Sequence, residues 1–162
     1  KEKFLFSALF AKIYGTMYML IKIKERSMNI LFFLRPKSGV TYLTLGNSLR
    51  QGLEKMRYHG YTAIPVLTKQ GKYVGTLSEG DLLWNLVDVG GASMEECENL
   101  HIADILKPDR NPPVKITAKA DELLEGLMTH NFLPVIDDNG AFIGIVTRNR
   151  MLDYYKNVKP KK

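Results

Sequence analysis

The sequence predicts an α+β fold of two similar halves packed as a pseudo-twofold pair. Three observations carry this. The stretch Tyr61-Thr-Ala-Ile-Pro-Val-Leu67, followed by Gly71-Lys-Tyr-Val-Gly-Thr-Leu-Ser-Glu-Gly-Asp81, recurs as Asn131-Phe-Leu-Pro-Val-Ile-Asp137 followed by Gly140-Ala-Phe-Ile-Gly-Ile-Val-Thr-Arg-Asn-Arg150. Such internal repetition defines the architecture before any local feature does. Each copy reads as a strand with a Pro-Val pair, a glycine turn, a second strand, and a Ser or Thr opening a helix. Each copy is also preceded by a strand, a helix and an earlier apolar run closed by proline, so the order β-α-β-β-α occurs twice.

Taken in order, Ile30 to Leu34 and Ile102 to Leu106 are apolar runs ended by Pro36 and Pro108. Proline disfavours helix in the residue before it, so each run reads as a helical turn that stops there. Val40 to Leu45 alternates and reads as a strand. Asn47 or Ser48 caps the next helix, whose apolar stripe is Leu49, Leu53 and Met56 and whose stop is Gly60. Thr62 to Leu67 is a second strand, whose continuous apolar run Ala63–Leu67 implies burial. Gln70-Gly71 makes a turn, and Tyr73 to Leu77 is a third strand in which Gly75 permits a close approach. Leu82, Leu83, Leu86 and Val87 read as the buried stripe of the following helix.

Gly90-Gly91 breaks the chain, and Ser93-Met-Glu-Glu96 opens a short acidic helix with a capping-box pattern. The second half repeats the order. Val114 to Thr117 is a strand, and Leu123, Leu124, Leu127 and Met128 line a helix. Phe132 to Ile136 and Ala141 to Val146 are strands around an Asp137–Gly140 turn, and Met151, Leu152 and Tyr155 form the inner face of the last helix. The expected organisation is an extension over residues 1–27, a first module over 28–87, a linker over 88–101, a second module over 102–156 and a basic tail over 157–162.

The bulk properties narrow the function. The chain has 162 residues, 45% of them hydrophobic and 25% charged, which suits one compact domain or two half-size modules. Its formal charge of +6 is unevenly spread: residues 1–27 carry +4, and the other 135 carry +2. A groove that tracks nucleic acid needs clustered Lys and Arg on one face, and none is evident, so no nucleic-acid partner is expected. The single cysteine, Cys97, rules out an intramolecular disulfide and weighs toward a reducing, cytoplasmic setting. His59, His101 and His130 show no metal-ligand spacing. No Walker loop, G-x-G-x-x-G or Ser-His-Asp set appears, so no catalytic residues and no enzyme activity are expected.

Residues 4–23 are apolar and aromatic, but Lys12 sits mid-stretch, which is costly in a membrane span. As a signal peptide the stretch lacks a small residue at position 9 before Ala11. Lys24-Glu25-Arg26-Ser27 precedes Met28, and codons for Lys-Glu-Arg can spell a ribosome-binding sequence. Residues 1–27 are therefore expected to be translated leader, with a membrane anchor or helical extension as alternatives. Membrane association is not expected.

The repeated order, the Pro-Val strand and the Gly-x-x-Ser/Thr before each last helix resemble the CBS domain, two of which form a Bateman module. Leu45-Gly46-Asn47-Ser48-Leu49, Gly60–Leu67 and Phe142-x-Gly144-Ile-x-Thr147-Arg148 are similar to the small stand-alone CBS-pair receptors for cyclic di-AMP. The resemblance covers residues 28–156. It implies an adenine-nucleotide sensor without a cofactor, its ligand cyclic di-AMP or AMP, ADP or ATP, held in clefts between the modules. It also implies a homodimer through the 82–87 and 151–155 helical faces, and a protein partner that the sequence does not identify.

Transferred to these positions, the resemblance implies a first cleft of Val40, Thr41, Tyr61, Thr62 and Ile64 with Thr147, Arg148 and Arg150. It implies a second cleft of Val114, Lys115, Phe132 and Leu133 with Ser78 and Asp81. Phosphate suits such places because a helix N-terminus offers free N–H groups and partial positive charge. Position 150 usually holds the acid that grips ribose; Arg150 there favours a phosphate-rich ligand. Ser78-x-x-Asp81 keeps the ribose-type pattern, so AMP or ATP binding through that pair is an alternative.

Structural readings stand beside these. Ser78-x-x-Asp81 and Thr147 also serve as helix caps. Arg150 also suits solvent, and Tyr61 a rim or dimer contact. Ile64, Leu133 and Val114 also suit a core. Arg148 is harder to explain structurally, because a cation at a helix N-terminus needs an offsetting anion. A ligand-free dimerisation module is the remaining alternative.

Overall fold

The structure is a computed structural model that describes residues 29–157 except 89, 92, 94 and 108. The expectations for residues 1–28 and for tail residues 158–162 lie outside the described residues. Strand β1 is Leu34–Pro36, β2 Leu43–Thr44, β3 Ala63–Leu67, β4 Tyr73–Ser78, β5 Val114–Lys115, β6 Phe132–Ile136 and β7 Phe142–Thr147. Helix α1 is Leu49–His59, α2 Glu79–Asp88, α3 Glu96–Asn99, α4 Ile102–Ile105, α5 Ala120–Thr129 and α6 Arg148–Asn157. Ile30–Phe32 and Lys37–Gly39 form 3-10 turns.

Each module has the same local logic. In the first, β2 runs parallel to β3 and β3 antiparallel to β4; in the second, β5 is parallel to β6 and β6 antiparallel to β7. The pairs Pro65↔Thr76 and Pro134↔Ile145 occupy matching positions, both 69 residues apart along the chain. Ser48 caps α1 by a capping box: its hydroxyl accepts from Gln51 N at 3.2 Å while Gln51 Oε1 accepts from Ser48 N at 3.1 Å. Gly60 closes the helix at φ 65°, a left-handed conformation that glycine adopts without a Cβ penalty.

The modules are not self-contained. Ile30 and Phe33, at the start of the first module, are 1% exposed and pack in the second module's core with Val114, Leu123, Leu133, Val146 and Met151. Cys97, Ile102 and Ile105, which precede the second module's strands, pack in the first module's core with Leu43, Leu49, Ile64, Leu77 and Leu82. The leading segments are thus exchanged. Burial of a side chain such as Phe or Ile is worth about 1.5–3 kcal/mol, so each core owes part of its stability to the other module's leader.

Backbone contacts lock the exchange. Strand β1 does not join its own module but pairs antiparallel with β7, placing Arg35 opposite Ile145 and Pro36 opposite Gly144. A Cβ on Gly144 would overlap the Arg35 carbonyl. In the first module Gly75 takes the same role more loosely: a Cβ there would lie 3.3 Å from Leu106. On the other side, Leu49 N donates to Leu100 O at 2.7 Å and Ile102 N to Asn47 O at 2.9 Å.

The two modules meet through a third apolar cluster of Val40, Leu67, Phe132, Phe142 and Ile145. Near the pseudo-twofold axis, Tyr73 N donates to Gly140 O at 3.3 Å and Phe142 N to Gly71 O at 3.0 Å. The Tyr73 and Phe142 rings stack with centroids 6.3 Å apart.

Several elements differ from expectation. Leu34–Pro36 is a strand rather than the end of a helical turn, because β7 offers its edge. The strands at 43–44 and 114–115 are shorter than the apolar runs that suggest them. Leu83 and Val87 are 55% and 56% exposed, Met128 81% and Leu152 57%; Leu82, Leu123, Leu127 and Met151 alone of those stripes are buried. The segment 95–101 is more than a linker, since Cys97 is 1% exposed in the first core.

Gly144→Ala is expected to lower unfolding free energy by about 1–3 kcal/mol or more through overpacking against Arg35. Gly46→Ala, where a Cβ meets nothing within 4 Å, is expected to stay within about 0.5 kcal/mol. Urea unfolding of both variants checks this; equal losses would contradict the close β1–β7 approach.

Candidate functional site

An open cavity of about 460 Å³ lies between the modules, within the size range of small-ligand pockets. The first module contributes Val40 and Thr41 from the loop before β2, and Tyr61, Thr62, Ala63 and Pro65 from β3 and its approach. The second contributes Phe132 and Ile145 as an apolar wall, and Thr147, Arg148 and Asn149 at the start of α6. Strand β1 delivers Arg35. Among the described residues that line this cleft, two are arginines and none is acidic.

Local structure holds these groups in place. Arg148 Nε donates to Leu127 O at 2.7 Å, one of the last-turn carbonyls of α5 that lack a helical partner. That bond offsets the unfavourable position of a cation at the start of α6 and fixes the guanidinium at the cleft wall. Thr147 Oγ1 accepts from Arg150 N at 3.3 Å, a cap for α6. At the rim, the His59 and Tyr61 rings stack at 5.2 Å and 11°, and His59 Nε2 lies 3.5 Å from Thr41 Oγ1. Tyr61 is therefore braced as a flat aromatic surface, able to stack on a base or another ring.

The pseudo-symmetric second cleft is filled by the chain itself. Ser78 and Asp81 form the expected cap at the start of α2: Asp81 Oδ2 accepts from Ser78 N at 2.9 Å and from Ser78 Oγ at 2.6 Å, and Asp81 N donates to Ser78 Oγ at 3.2 Å. The Asp81 side chain is 2% exposed, and Arg110 ion-pairs with it while donating to Ser78 Oγ at 3.2 Å. Lys107 adds a longer contact at 3.8 Å. Burial alone would raise the Asp81 pKa, but the Ser78 hydrogen bonds and Arg110 together hold it below the usual carboxylate value.

Beside this pair, Asn111 is 4% exposed. Its Nδ2 donates to Phe132 O at 3.1 Å and reaches Thr76 Oγ1 at 3.4 Å. Its own carbonyl accepts from the Tyr73 hydroxyl at 2.8 Å, and that hydroxyl lies 2.8 Å from Thr76 Oγ1. Asp109 and Asn111 reach these positions with φ of 61° and 62°, a conformation that short polar side chains tolerate better than most.

The sequence-predicted residues are therefore sorted as follows. Val40, Thr41, Tyr61, Thr62, Thr147 and Arg148 line the first cleft. Ile64 does not: it is 0% exposed in the first core, and its strand neighbours Ala63 and Pro65 face the cleft instead, as strand alternation requires. Arg150 is exposed and lies outside the lining; Arg35 supplies the second cation. Phe132, expected in the second cleft, offers its carbonyl to Asn111 there and also lines the first. Leu133 and Val114 pack in the second core, and Lys115 ion-pairs with Asp138 at 3.2 Å. Ser78 and Asp81 meet Arg110 rather than Val114 or Lys115.

Arg35 had a sequence signal. A glycine inside a strand marks close backbone approach, and Gly144 in β7 corresponds to Gly75. Arg110 and Asn111 had none, because their partners are 29 and 21 residues away in sequence.

Burial pushes the Tyr73 pKa up to about 12, against a lowering by its bond with Thr76. The folded state keeps this proton where the unfolded chain, near 10, has lost it. Stability should therefore be intact below about pH 10 and fall between pH 10 and 12, by on the order of 3 kcal/mol. Tyr73→Phe should flatten that part of the profile relative to the unsubstituted chain; an unchanged slope would contradict the buried phenol.

Among the described residues, no cluster of three or more His, Cys, Asp or Glu could hold a metal, and no helix is long and apolar enough to cross a membrane. The chain is similar to several known proteins. An uncharacterised protein of Methanocaldococcus jannaschii is 27% identical over 128 residues, 72% of this chain and 44% of that protein, so the chain spans less than half of that relative. Cyclic di-AMP receptor B of Bacillus subtilis is 24% identical over 123 residues, covering 74% of this chain and 81% of that one. Among solved structures, Listeria monocytogenes CbpB in complex with c-di-AMP is 27% identical with a TM-score of 0.69, covering 76% of this chain and 92% of that one. CBSX2 in complex with AMP shares the fold at 23% identity and a TM-score of 0.65, covering 83% of this chain and 100% of that one. The CBS domain family matches residues 34–88 and 102–157, and with the duplicated, exchanged architecture this makes the chain a member of the CBS domain family carrying a pair of such domains.

Proposed function

We propose that this chain is a non-enzymatic adenine-nucleotide receptor whose ligand, cyclic di-AMP, binds in the first cleft. The observation that carries this reading is the charge pattern of that cleft: Arg35 and Arg148 at its wall, the start of α6 beside them, an apolar floor, and no acid in the lining. An anion with flat aromatic parts fits such a site. Arginine suits phosphate because its planar fork donates two parallel hydrogen bonds. Purine faces suit Tyr61 and the Phe132–Ile145 wall. The Listeria CbpB complex and the Bacillus receptor, named for cyclic di-AMP, support the choice of that nucleotide.

The proposed mechanism is linkage. The cleft takes groups from both modules, so a bound ligand favours the arrangement in which they converge. Such a ligand alters a protein partner's affinity only as far as it distinguishes two states of the pair. We place the chain in the cytoplasm and expect a homodimer. The exposed Leu83, Trp84 and Val87, which helical spacing puts on one side of α2, and the exposed Leu152 on α6 support a helix-mediated contact, since exposed apolar patches mark interaction sites. That same feature favours a second reading, a dimerisation module that binds no nucleotide.

Calorimetric titration decides between them. Cyclic di-AMP is expected to bind one equivalent per chain at the first cleft and, at a hundredfold excess over Kd, to add about 2.7 kcal/mol to stability. Arg148→Ala and Arg35→Ala are each expected to weaken it about 10- to 100-fold, the worth of a charge-assisted hydrogen bond. Binding that survives both substitutions would move the site elsewhere. Neither heat nor stabilisation from cyclic di-AMP, AMP or ATP would leave the dimerisation module.

A further inference from the structure

The two clefts are related by sequence position, yet one is open and the other filled. Val40 lies three residues before Leu43, which pairs with Val66; Asn111 lies three before Val114, which pairs with Val135. Where the first cleft has the apolar Val40, the second therefore has Asn111. Across from them, Ile145 in the first cleft corresponds to Thr76 in the second by the matching strand pairs. The second cleft has acquired the hydrogen-bonding groups needed to hold an asparagine.

The contacts of the filling loop imitate a ligand. The Asn111 carboxamide donates to the carbonyl of Phe132, a backbone acceptor that an exocyclic amino group could use equally. Arg110 covers the Ser78–Asp81 pair at the start of α2, where ribose hydroxyls and phosphate would otherwise bond. Among the described residues the buried Asn111 Oδ1 has no hydrogen-bond partner, so holding the loop in place carries a cost in desolvation. Arg110 remains 47% exposed along its side chain, so it can swing outward.

We propose that the loop Asp109–Asn111 is a tethered plug: it occupies the second cleft, restricts the chain to nucleotide in the first, and admits a nucleoside monophosphate to the second only when Arg110 releases Asp81. This rests on reading the clefts as nucleotide sites, but concerns only the second.

The test is titration of adenosine 5′-monophosphate into the full chain, with the unsubstituted protein, Arg110→Ala, Asn111→Ala, and Arg110→Ala combined with Asp81→Asn. Circular dichroism first confirms that each is folded, and Asn111→Ala stands in should Arg110→Ala not fold. The unsubstituted chain is expected to show no more than one site. Arg110→Ala should gain a second site per chain, at least tenfold tighter than any second-site binding before substitution, and Asp81→Asn should remove that gain. Two sites in the unsubstituted chain, or no added site in either single variant, would overturn the plug. A loss of binding in Arg110→Ala would overturn it too, making Arg110 a ligand contact instead. Cyclic di-AMP binding at the first cleft is measured separately, so the plug can fail while that reading stands, and the reverse.

Discussion

The close approach of β1 to Gly144 is the contact on which the rest depends. It lets a strand from the beginning of the chain become the edge of a sheet completed more than a hundred residues later. With that strand come Ile30 and Phe33, which finish the second core, and Arg35, which enters the first cleft. A single missing Cβ thereby links packing to chemistry: the residue that permits the sheet to form also sets where one cation of the site stands.

Duplication supplies two clefts and small substitutions make them unequal. Both are bounded by the same strands and each ends at a helix start, so geometry alone offers two similar sites. The difference lies in a few positions: Arg150 where the first module has Asp81, Ile145 where it has Thr76, and Val40 where the second has Asn111. The first cleft keeps two arginines, an apolar wall and no acid among its described lining residues. In the second, the Asp81 carboxylate ion-pairs with Arg110 from a nearby loop.

Much of the fold was legible because its signals are local. The Pro-Val strands, the Ser48 capping box, the left-handed Gly60 and the glycine turns each depend on residues within a few positions. The six first-cleft residues that line the cavity were legible through resemblance to a family motif. What was not legible depends on distance. Whether Leu83, Val87 or Met128 is covered cannot follow from periodicity, which reports an apolar stripe but not its partner. Ile64 faces the core because alternation along a strand decides which neighbour faces the cleft, and that parity needs the observed register; Phe132 serves both clefts, lining the first and offering its carbonyl to Asn111 in the second. Arg110 and Asn111 sit in a proline-flanked loop with no pattern, and their roles exist only once the modules meet.

The exchange of leading segments also bears on how such a chain becomes folded and how it can change over time. During synthesis the first module emerges without Ile102 and Ile105 and waits for them, whereas the second emerges with Ile30 and Phe33 already made. Assembly is therefore interlocked rather than sequential, and a cut near Gly90 would leave two fragments that each lack part of a core. In a pair built this way neither half can be moved alone into another protein without leaving both cores unfinished.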